Sequence, residues 1–294
     1  MKINTWDGKE LFLNIWNDVE NPKGVVHIIH GMVEYGARYE DLAKYLNSLG
    51  YVVIAPDHRG HGVTGFQYGY PGYFSENDGW MNVVKDNLKI YDDYKNVGKY
   101  FFIGHSMGSF LLRTIICSAD IQADGYILSG SGNPKASQMK IGLFLANIIK
   151  KISGDKKKSK FMNDMMFKGF NDKFAPNRSE FDWLSRDNNQ VDLYEKSPWC
   201  GFVPTVAFFC DFLAGILRLY DLEKSCTDKG VSKLWLFGEN DPVSGYGKDL
   251  LSIKEKYLSN SEFIIYPEMR HEILNEIDRE KVFKDIGNFI MRGE

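Results

Sequence analysis

A serine between two glycines is the first residue in this chain that could carry chemistry. Ser106 is the centre of the motif GHSMG at residues 104–108, a G-x-S-x-G pattern. Residues 100–103 before it are typical of a buried strand, and residues 110–116 after it continue as an apolar helix. Between a strand and a helix, the two glycines permit a sharp, strained turn that pushes the serine hydroxyl clear of the backbone. The pattern predicts a nucleophilic serine.

A nucleophilic serine needs a base and a carboxylate that orients this base. Strand-to-helix nucleophile turns are typical of α/β hydrolases, in which the acid and then the histidine follow the serine along the chain. Of the six histidines, only His271 lies beyond Ser106 and its turn, so we predict His271 as the general base. Asp241 lies in a turn just after a predicted strand and is the predicted acid; Glu239, in the same turn, is its competitor.

Two backbone N–H groups are candidates for the oxyanion hole. The Met107 N–H lies at a predicted helix N-terminus, where unpaired donors and the helix dipole favour negative charge. The Met32 N–H follows the apolar strand at residues 25–29, and Gly31 before it would let the backbone approach a substrate closely. The alternative for Gly31 is an ordinary glycine turn.

These residues require a frame of alternating strands and helices. A half-exposed edge strand is predicted at residues 11–16, and Gly50 closes a helix at residues 39–49. The repeated alternation predicts an α/β hydrolase fold with an open, mostly parallel, doubly wound sheet. The other predicted strands are at 25–29, 51–54, 100–103, 126–129, 234–237 and 263–266, and the other predicted helices are at 80–95, from 107, at 246–257 and at 279–291.

One interval interrupts this alternation. Residues 133–199 contain an apolar helix at 141–149, a run of six lysines within 150–160 and a segment rich in Met and Phe. We interpret the interval as a helical cap inserted into an α/β core of residues 1–132 and 200–294. The lysine run is typical of a solvated turn, and an anionic membrane surface is the alternative. Four residues could line an acyl-chain pocket or only pack the cap onto the sheet: Met162, Met165, Met166 and Phe167.

Composition excludes several other classes of protein. A net charge of −3 gives no basic field for nucleic acid. The longest apolar stretch, residues 206–217, is interrupted by Asp211 and too short to span a bilayer. Charged residues near the N-terminus leave no apolar core for an export signal. The four cysteines are not clustered, so neither zinc nor a disulfide framework is expected, and we expect a soluble, cytoplasmic protein.

Several motifs together resemble a known family. They are residues 30–34 (HGMVE) with Arg38 and Tyr39, residues 57–62 (DHRGHG), the GHSMG turn, residues 238–242 (GENDP), and His271 with Glu272. The chain resembles the monoglyceride lipase and lysophospholipase group of α/β hydrolases, sometimes grouped with serine aminopeptidases. In the cap, residues 181–187 and 200–202 are similar to those of bacterial lysophospholipases.

The resemblance implies hydrolysis of a monoacyl ester without a metal or organic cofactor. It also implies that His58 and His61 belong to a structural loop rather than to a metal site. Two positions depart from the pattern. Tyr35 stands where the family often has histidine, which leaves the role of that histidine open, and Thr64 replaces a common serine, which we interpret as structural.

The predicted function is hydrolysis of a monoacyl lipid ester, a monoacylglycerol or a lysophospholipid, through an acyl-serine intermediate. A short-chain carboxylesterase or a peptidase with the same triad is an alternative. A ligand-binding protein that kept the fold and lost turnover is another. The expected partners are a small lipid-like ester and, transiently, a membrane surface contacted by the cap. We expect no nucleic acid and no obligate protein partner.

Overall fold

A single twisted sheet forms the centre of the computed structural model, which describes residues 1–227, 230–257 and 259–292. Within these residues the strands are β1 (Lys2–Asn4), β2 (Glu10–Trp16), β3 (Gly24–Ile29), β4 (Tyr51–Pro56), β5 (Lys99–His105), β6 (Gly125–Ser129), β7 (Lys233–Gly238) and β8 (Ser261–Tyr266). Their order is β1-β2-β4-β3-β5-β6-β7-β8. Strands β4, β3, β5, β6, β7 and β8 run parallel, and β2 is antiparallel to β4. The predicted α/β hydrolase fold is confirmed.

The first strand of the sheet differs from the prediction. β1 pairs antiparallel with β2, so β2 is not the edge strand that its half-exposed pattern predicts. β1 contains only three residues, of which Ile3 alone is apolar. A segment of three residues is too short to show a periodic pattern, so this strand could not be predicted.

Helices cover both faces of the sheet. Strand β3 shows the alternation: Val25 and Ile29 face one core cluster, and Val26 and Ile28 face the other. The second cluster includes residues of α1 and α9, and the first includes residues of α2, α3, α7 and α8. The helices are α1 (Glu40–Ser48), α2 (Gly79–Tyr94), α3 (Met107–Ser118), α4 (Ala136–Ser153), α5 (Lys160–Phe167), α6 (Asn188–Lys196), α7 (Val206–Ser225), α8 (Asp249–Lys256) and α9 (Arg279–Ile290).

Helix α8 begins later than predicted. The predicted helix covers residues 246–257, but Tyr246 has a φ of 59°, a left-handed conformation that a helix cannot contain. The chain turns through Gly247 before the helix begins at Asp249. The local turn conformation therefore overrides the apolar periodicity that continues through this segment.

The interval between β6 and β7 is helical. Its described residues contain α4, α5, α6 and α7 and no strand of the sheet. The apolar helix predicted at 141–149 is the central part of α4. Helix α7 packs on α4 and also on α2 and α3. The cap boundaries at residues 133 and 199 remain predictions, and α7, which begins just after them, joins the cap helix α4 to the core.

The cysteines also depart from the sequence-based expectation. Cys117 and Cys226 form a disulfide although 109 residues separate them in sequence. Cys117 is near the end of α3 and Cys226 follows α7, so helix packing brings them together and their spacing gives no sign of it. The expectation of a cytoplasmic location rested on the absence of a disulfide, and this disulfide removes that argument. Among the helices described here, none combines the length and apolar character needed to cross a membrane.

Candidate active site

Ser106 lies in a strained turn between β5 and α3. Its φ of 52° and ψ of −119° place a residue with a side chain in a conformation that costs energy. The backbone holds this turn because the Ser106 N–H donates to the Ser129 carbonyl at 2.9 Å. A Cβ on Gly104 would lie 2.6 Å from the Gly108 carbonyl oxygen, and a Cβ on Gly108 would overlap the Ile29 carbonyl. Ser106 is partly exposed while both chain neighbours are buried.

Asp241 and His271 form a buried pair at the ends of two neighbouring strands. Asp241 follows β7 and His271 follows β8, and the distance from the Asp241 Oδ1 to the His271 Nδ1 is 2.9 Å. The Val243 N–H donates to the same Oδ1 at 2.8 Å and fixes the carboxylate. Glu239 is exposed and instead accepts the Glu268 N–H. The structure therefore pairs Asp241, and not Glu239, with the histidine.

The surroundings of His271 suit a general base. Burial lowers the pKa of its imidazole, the charge and the hydrogen bond of the Asp241 carboxylate raise it, and the net effect places this pKa above the usual value of 6.5. Glu272 and Glu34 add to the increase. With Nδ1 bonded to Asp241, Nε2 is left to take a proton from a nucleophile.

The His271 imidazole lies beside the serine turn. Its ring centroid is 4.9 Å from the ring centroid of His105, the residue before Ser106. Within the described residues, no hydrogen bond joins the Ser106 hydroxyl to His271. Such bonds are often long without substrate and tighten in the complex. In such an arrangement Ser106, His271 and Asp241 could act as nucleophile, base and orienting acid of an acyl transfer.

The two candidate oxyanion donors belong to segments next to Ser106. The Met107 N–H begins α3, and the Met32 N–H follows Gly31, whose Cβ, if present, would lie 3.2 Å from the Ser106 Cβ. In the described part of the chain neither N–H has a protein acceptor. The Gly31 N–H is not available to a substrate, because it donates to Glu34 Oε1 at 2.5 Å. The space beside Gly31 is thus occupied by Glu34 and Ser106.

The four candidate cap residues do not form one surface. Met162 is fully buried in the core cluster that Val25 faces, and Met166 is half-buried against the same cluster. Met165 is exposed. Phe167 packs on the Trp183 ring, with 5.7 Å between ring centroids. Of these four residues, Phe167 alone is connected to His271 through ring contacts, by way of Trp183.

Trp183 is the main residue that sequence reasoning missed. Its ring centroid lies 5.2 Å from that of His271, and its carbonyl accepts the His271 N–H at 3.4 Å. The Glu272 N–H donates to the Leu184 carbonyl at 2.7 Å, so the segment at 183–184 holds the histidine loop. The only sequence signal was the similarity of residues 181–187 to other caps, which gives no information about this contact.

The remaining motif residues build the core beneath the site. The His30 ring stacks on His58 with 3.9 Å between centroids, and His30 Nε2 accepts the His58 N–H at 3.0 Å. Burial lowers the pKa of His30 and of His61 to about 3, so these rings are neutral at pH 7.

Thr64 donates to the Asp57 carbonyl at 2.6 Å and accepts the Phe12 N–H. Tyr35 packs edge-on against Trp199.

Comparisons with known proteins show the family of this chain. A family model described as serine aminopeptidase, S33, matches residues 20–278. Monoglyceride lipase of Mus musculus is 27% identical over 221 residues, which are 72% of this chain and 64% of the mouse protein. The monoglyceride lipase homolog of Monkeypox virus is 24% identical over 287 residues, 97% of this chain and 95% of the viral protein.

A solved structure covers almost the whole chain. A highly thermostable carboxyl esterase from Bacillus coagulans, in complex with glycerol, matches 99% of this chain and 96% of its own with a TM-score of 0.88. Its sequence is 23% identical to this one, and at that identity the likeness shows the shared fold.

Proposed function

Because the chain belongs to the serine aminopeptidase S33 family and is a serine hydrolase of the monoglyceride lipase and esterase group, we propose that it hydrolyses monoacyl lipid esters. The proposed substrate is a monoacylglycerol or a lysophospholipid, and the proposed intermediate is acyl-Ser106. One observation carries the proposal: the buried 2.9 Å bond between Asp241 and His271 lies beside a serine held at a φ of 52°.

The proposed chemistry has two halves. His271 Nε2 takes the Ser106 proton as the serine oxygen bonds to the ester carbonyl carbon, and the Met32 and Met107 N–H groups bind the oxyanion. When the C–O bond of the leaving alcohol breaks, His271 returns the proton to that alcohol. Water then gives a proton to His271 as its oxygen bonds to the acyl carbon. The bond between that carbon and the Ser106 oxygen breaks, the carboxylic acid leaves, and Ser106 takes the proton back from His271. Asp241 stabilises the imidazolium in both halves.

The lipid part of the proposal has two supports. The mouse relative is named a monoglyceride lipase. In addition, the Phe167 ring contacts the Trp183 ring, which in turn contacts the His271 ring. An acyl chain entering beside these rings would exchange water for apolar contacts. The Ser106, His271 and Asp241 constellation alone fits a second candidate, a short-chain carboxylesterase, because acyl transfer through a serine does not require a long acyl chain.

Activity against esters of increasing acyl length distinguishes the two candidates. Each buried methylene contributes about 0.8 kcal/mol, so an acyl pocket raises kcat/KM by about 4-fold per methylene until it is full. A short-chain esterase instead has its maximum at about two to four carbons. We expect the rising series with nitrophenyl esters, and a maximum at acetate would contradict the lipid assignment.

A substitution in the cap tests where the chain binds. Met166→Gln should lower kcat/KM for long esters and spare acetate, because the part of the Met166 side chain that is not packed against the core would contact the acyl chain. Met81→Gln is the matched control, since Met81 is also half-buried against the core but lies on α2. Equal losses on short and long esters would contradict a role for Met166 in the pocket.

We also propose that the cap contacts an anionic membrane surface transiently. Helix α4 carries a stripe of exposed apolar side chains at spacings of three and four residues: Ile141, Phe144, Ile148 and Ile152, between 42% and 82% exposed. The lysine run at 150–160 lies at the end of this stripe. An apolar stripe beside lysines fits a bilayer with anionic headgroups.

Sedimentation with vesicles tests this contact. Vesicles containing phosphatidylglycerol should carry the protein down, vesicles of phosphatidylcholine alone should not, and added salt should release it. Phe144→Ser should weaken binding, whereas Leu251→Ser, a change at an exposed leucine on α8, should not. Equal binding by both variants, or none by the wild type, would contradict the proposed contact.

A further inference from the structure

A buried guanidinium connects the two loops that flank Ser106. Arg38 Nη1 donates to Glu34 Oε2 at 2.9 Å and to Glu272 Oε1 at 2.6 Å, and Nη2 donates to Glu272 Oε2 at 2.6 Å. The three side chains are 8% exposed or less. The Arg38 guanidinium keeps the pKa of Glu272 at about 2 although burial raises it, so Glu272 is ionised at pH 7.

Each carboxylate of this chain of charges is attached to a part of the candidate site. Glu34 Oε1 accepts the Gly31 N–H at 2.5 Å and the Tyr39 hydroxyl at 2.8 Å, so it fixes the residue before Met32. Glu272 is the residue after His271. The planar guanidinium of Arg38 therefore connects the loop that contains Met32 with the loop that contains His271.

The oxyanion loop needs such support because its backbone is strained. Val33, next to Met32, has a φ of 49°, which is unusual for a β-branched residue. Its carbonyl accepts the Tyr194 hydroxyl at 3.1 Å and the Gly201 N–H at 3.0 Å. The Tyr194 ring also lies 4.9 Å from the Arg38 guanidinium carbon. A strained conformation persists only where surrounding contacts hold it.

We propose that Arg38, bridging Glu34 and Glu272, is a positioning residue that holds the Met32 N–H and the His271 imidazole in register around Ser106. Tyr194 supports the same loop from the cap side. The inference rests on the proposed function, because the relative positions of the Met32 N–H and the His271 imidazole matter only if Ser106 reacts. Buried ion pairs contribute little net stability compared with apolar packing, so the location of this one at the site favours a role in geometry.

The test is Arg38→Lys, which keeps the positive charge and removes the bidentate fork. With a short nitrophenyl ester, we expect kcat to fall on the order of 100-fold with KM nearly unchanged, since a displacement of about 1 Å has that effect. The inhibition constant of an alkyl boronic acid, whose adduct with a serine mimics the oxyanion, should rise by a similar factor. A purely stabilising arginine would leave both quantities unchanged in folded protein.

The matched control is Arg59→Lys. Arg59 is equally buried and also bridges two carboxylates, Asp7 and Asp86, but none of these contacts a candidate site residue. We expect this variant to lose stability and keep kcat. Tyr194→Phe is the second test variant, because it removes one hydroxyl without leaving a buried charge; kcat should fall about 10-fold.

Active-site titration with a fluorophosphonate separates the two proposals. If wild-type protein shows no labelling at Ser106, the proposed function fails. If wild-type Ser106 is labelled and folded Arg38→Lys keeps both its kcat and its boronic-acid affinity, the positioning role is overturned. Should Arg38→Lys fail to fold, the kcat of Tyr194→Phe decides: a decrease with unchanged KM supports the role, and wild-type values refute it.

Discussion

Gly31→Ala is the substitution for which the structure predicts the clearest consequence. Gly31 precedes the candidate oxyanion donor Met32 and lies against Glu34 and Ser106. Its backbone does not require a positive φ, so alanine introduces a steric change without a change in backbone preference. The added methyl group would lie 2.6 Å from Glu34 Oε1 and 3.2 Å from Ser106 Cβ.

The magnitude follows from these distances. Ordinary contact begins near 3.4 Å, so the carboxylate or the loop must move by about 0.8 Å. Glu34 has little freedom, because Gly31, Arg38 and Tyr39 all donate to it. A displacement of that size costs about 100-fold in rate, and complete loss of one donor costs about 100- to 1,000-fold. Weakening the Gly31 bond to a charged acceptor also lowers the free energy of unfolding by about 1–3 kcal/mol.

Stopped-flow kinetics with a nitrophenyl ester measures the effect on acylation. We expect the acylation rate of Gly31→Ala to fall about 100-fold, and because deacylation passes through the same oxyanion hole it should slow by a similar factor, which preserves the burst amplitude. Gly142→Ala on α4 is the control; its methyl would lie 3.3 Å from the flexible end of Leu213. A Gly31→Ala protein with wild-type acylation would remove this loop from the mechanism.

Three further perturbations test the acid, the base and the packing of α7. Asp241→Asn should lower kcat/KM on the order of 10⁴-fold while Glu239→Gln stays near wild type; the reverse order in steady-state kinetics would refute the choice of acid. Because Asp241 raises the pKa of His271, kcat/KM should fall as the pH decreases through a value above 6.5, and an acid limb below pH 6 would contradict this. Burial raises the pKa of Asp211 to about 7, so the folded state holds its proton and wild-type stability falls as the pH rises through 7. Asp211→Asn should therefore gain about 3 kcal/mol relative to wild type between pH 5 and pH 8 in urea unfolding, and a constant difference would refute it.

Local patterns predicted the frame of the molecule well. Buried parallel strands such as β3 and β4 are continuous apolar runs, and the glycines around Ser106 mark a turn whose geometry needs them. The order of serine, acid and histidine then directed attention to Asp241 and His271, which the structure brings into contact. Their catalytic roles remain proposals.

Contacts between distant segments could not be predicted in this way. The disulfide joins residues whose spacing carries no pattern, and β1 is too short to show one. Trp183 contacts His271 from a distant part of the chain, with 5.2 Å between the two ring centroids. Glu272 meets Arg38, and through it Glu34, although Arg38 and Glu272 are 234 positions apart in sequence, so no local argument could join them.

The central claim is that Ser106 forms an acyl intermediate, and peptide mapping after a rapid acid quench tests it most directly. Wild-type protein mixed with a long-chain nitrophenyl ester should carry one acyl group, on the peptide containing Ser106, and the mass should be absent from Ser106→Ala. Ser106→Ala should also lose nearly all ester turnover and keep its fold. An acyl group on another residue, or turnover that persists in Ser106→Ala, would contradict the account.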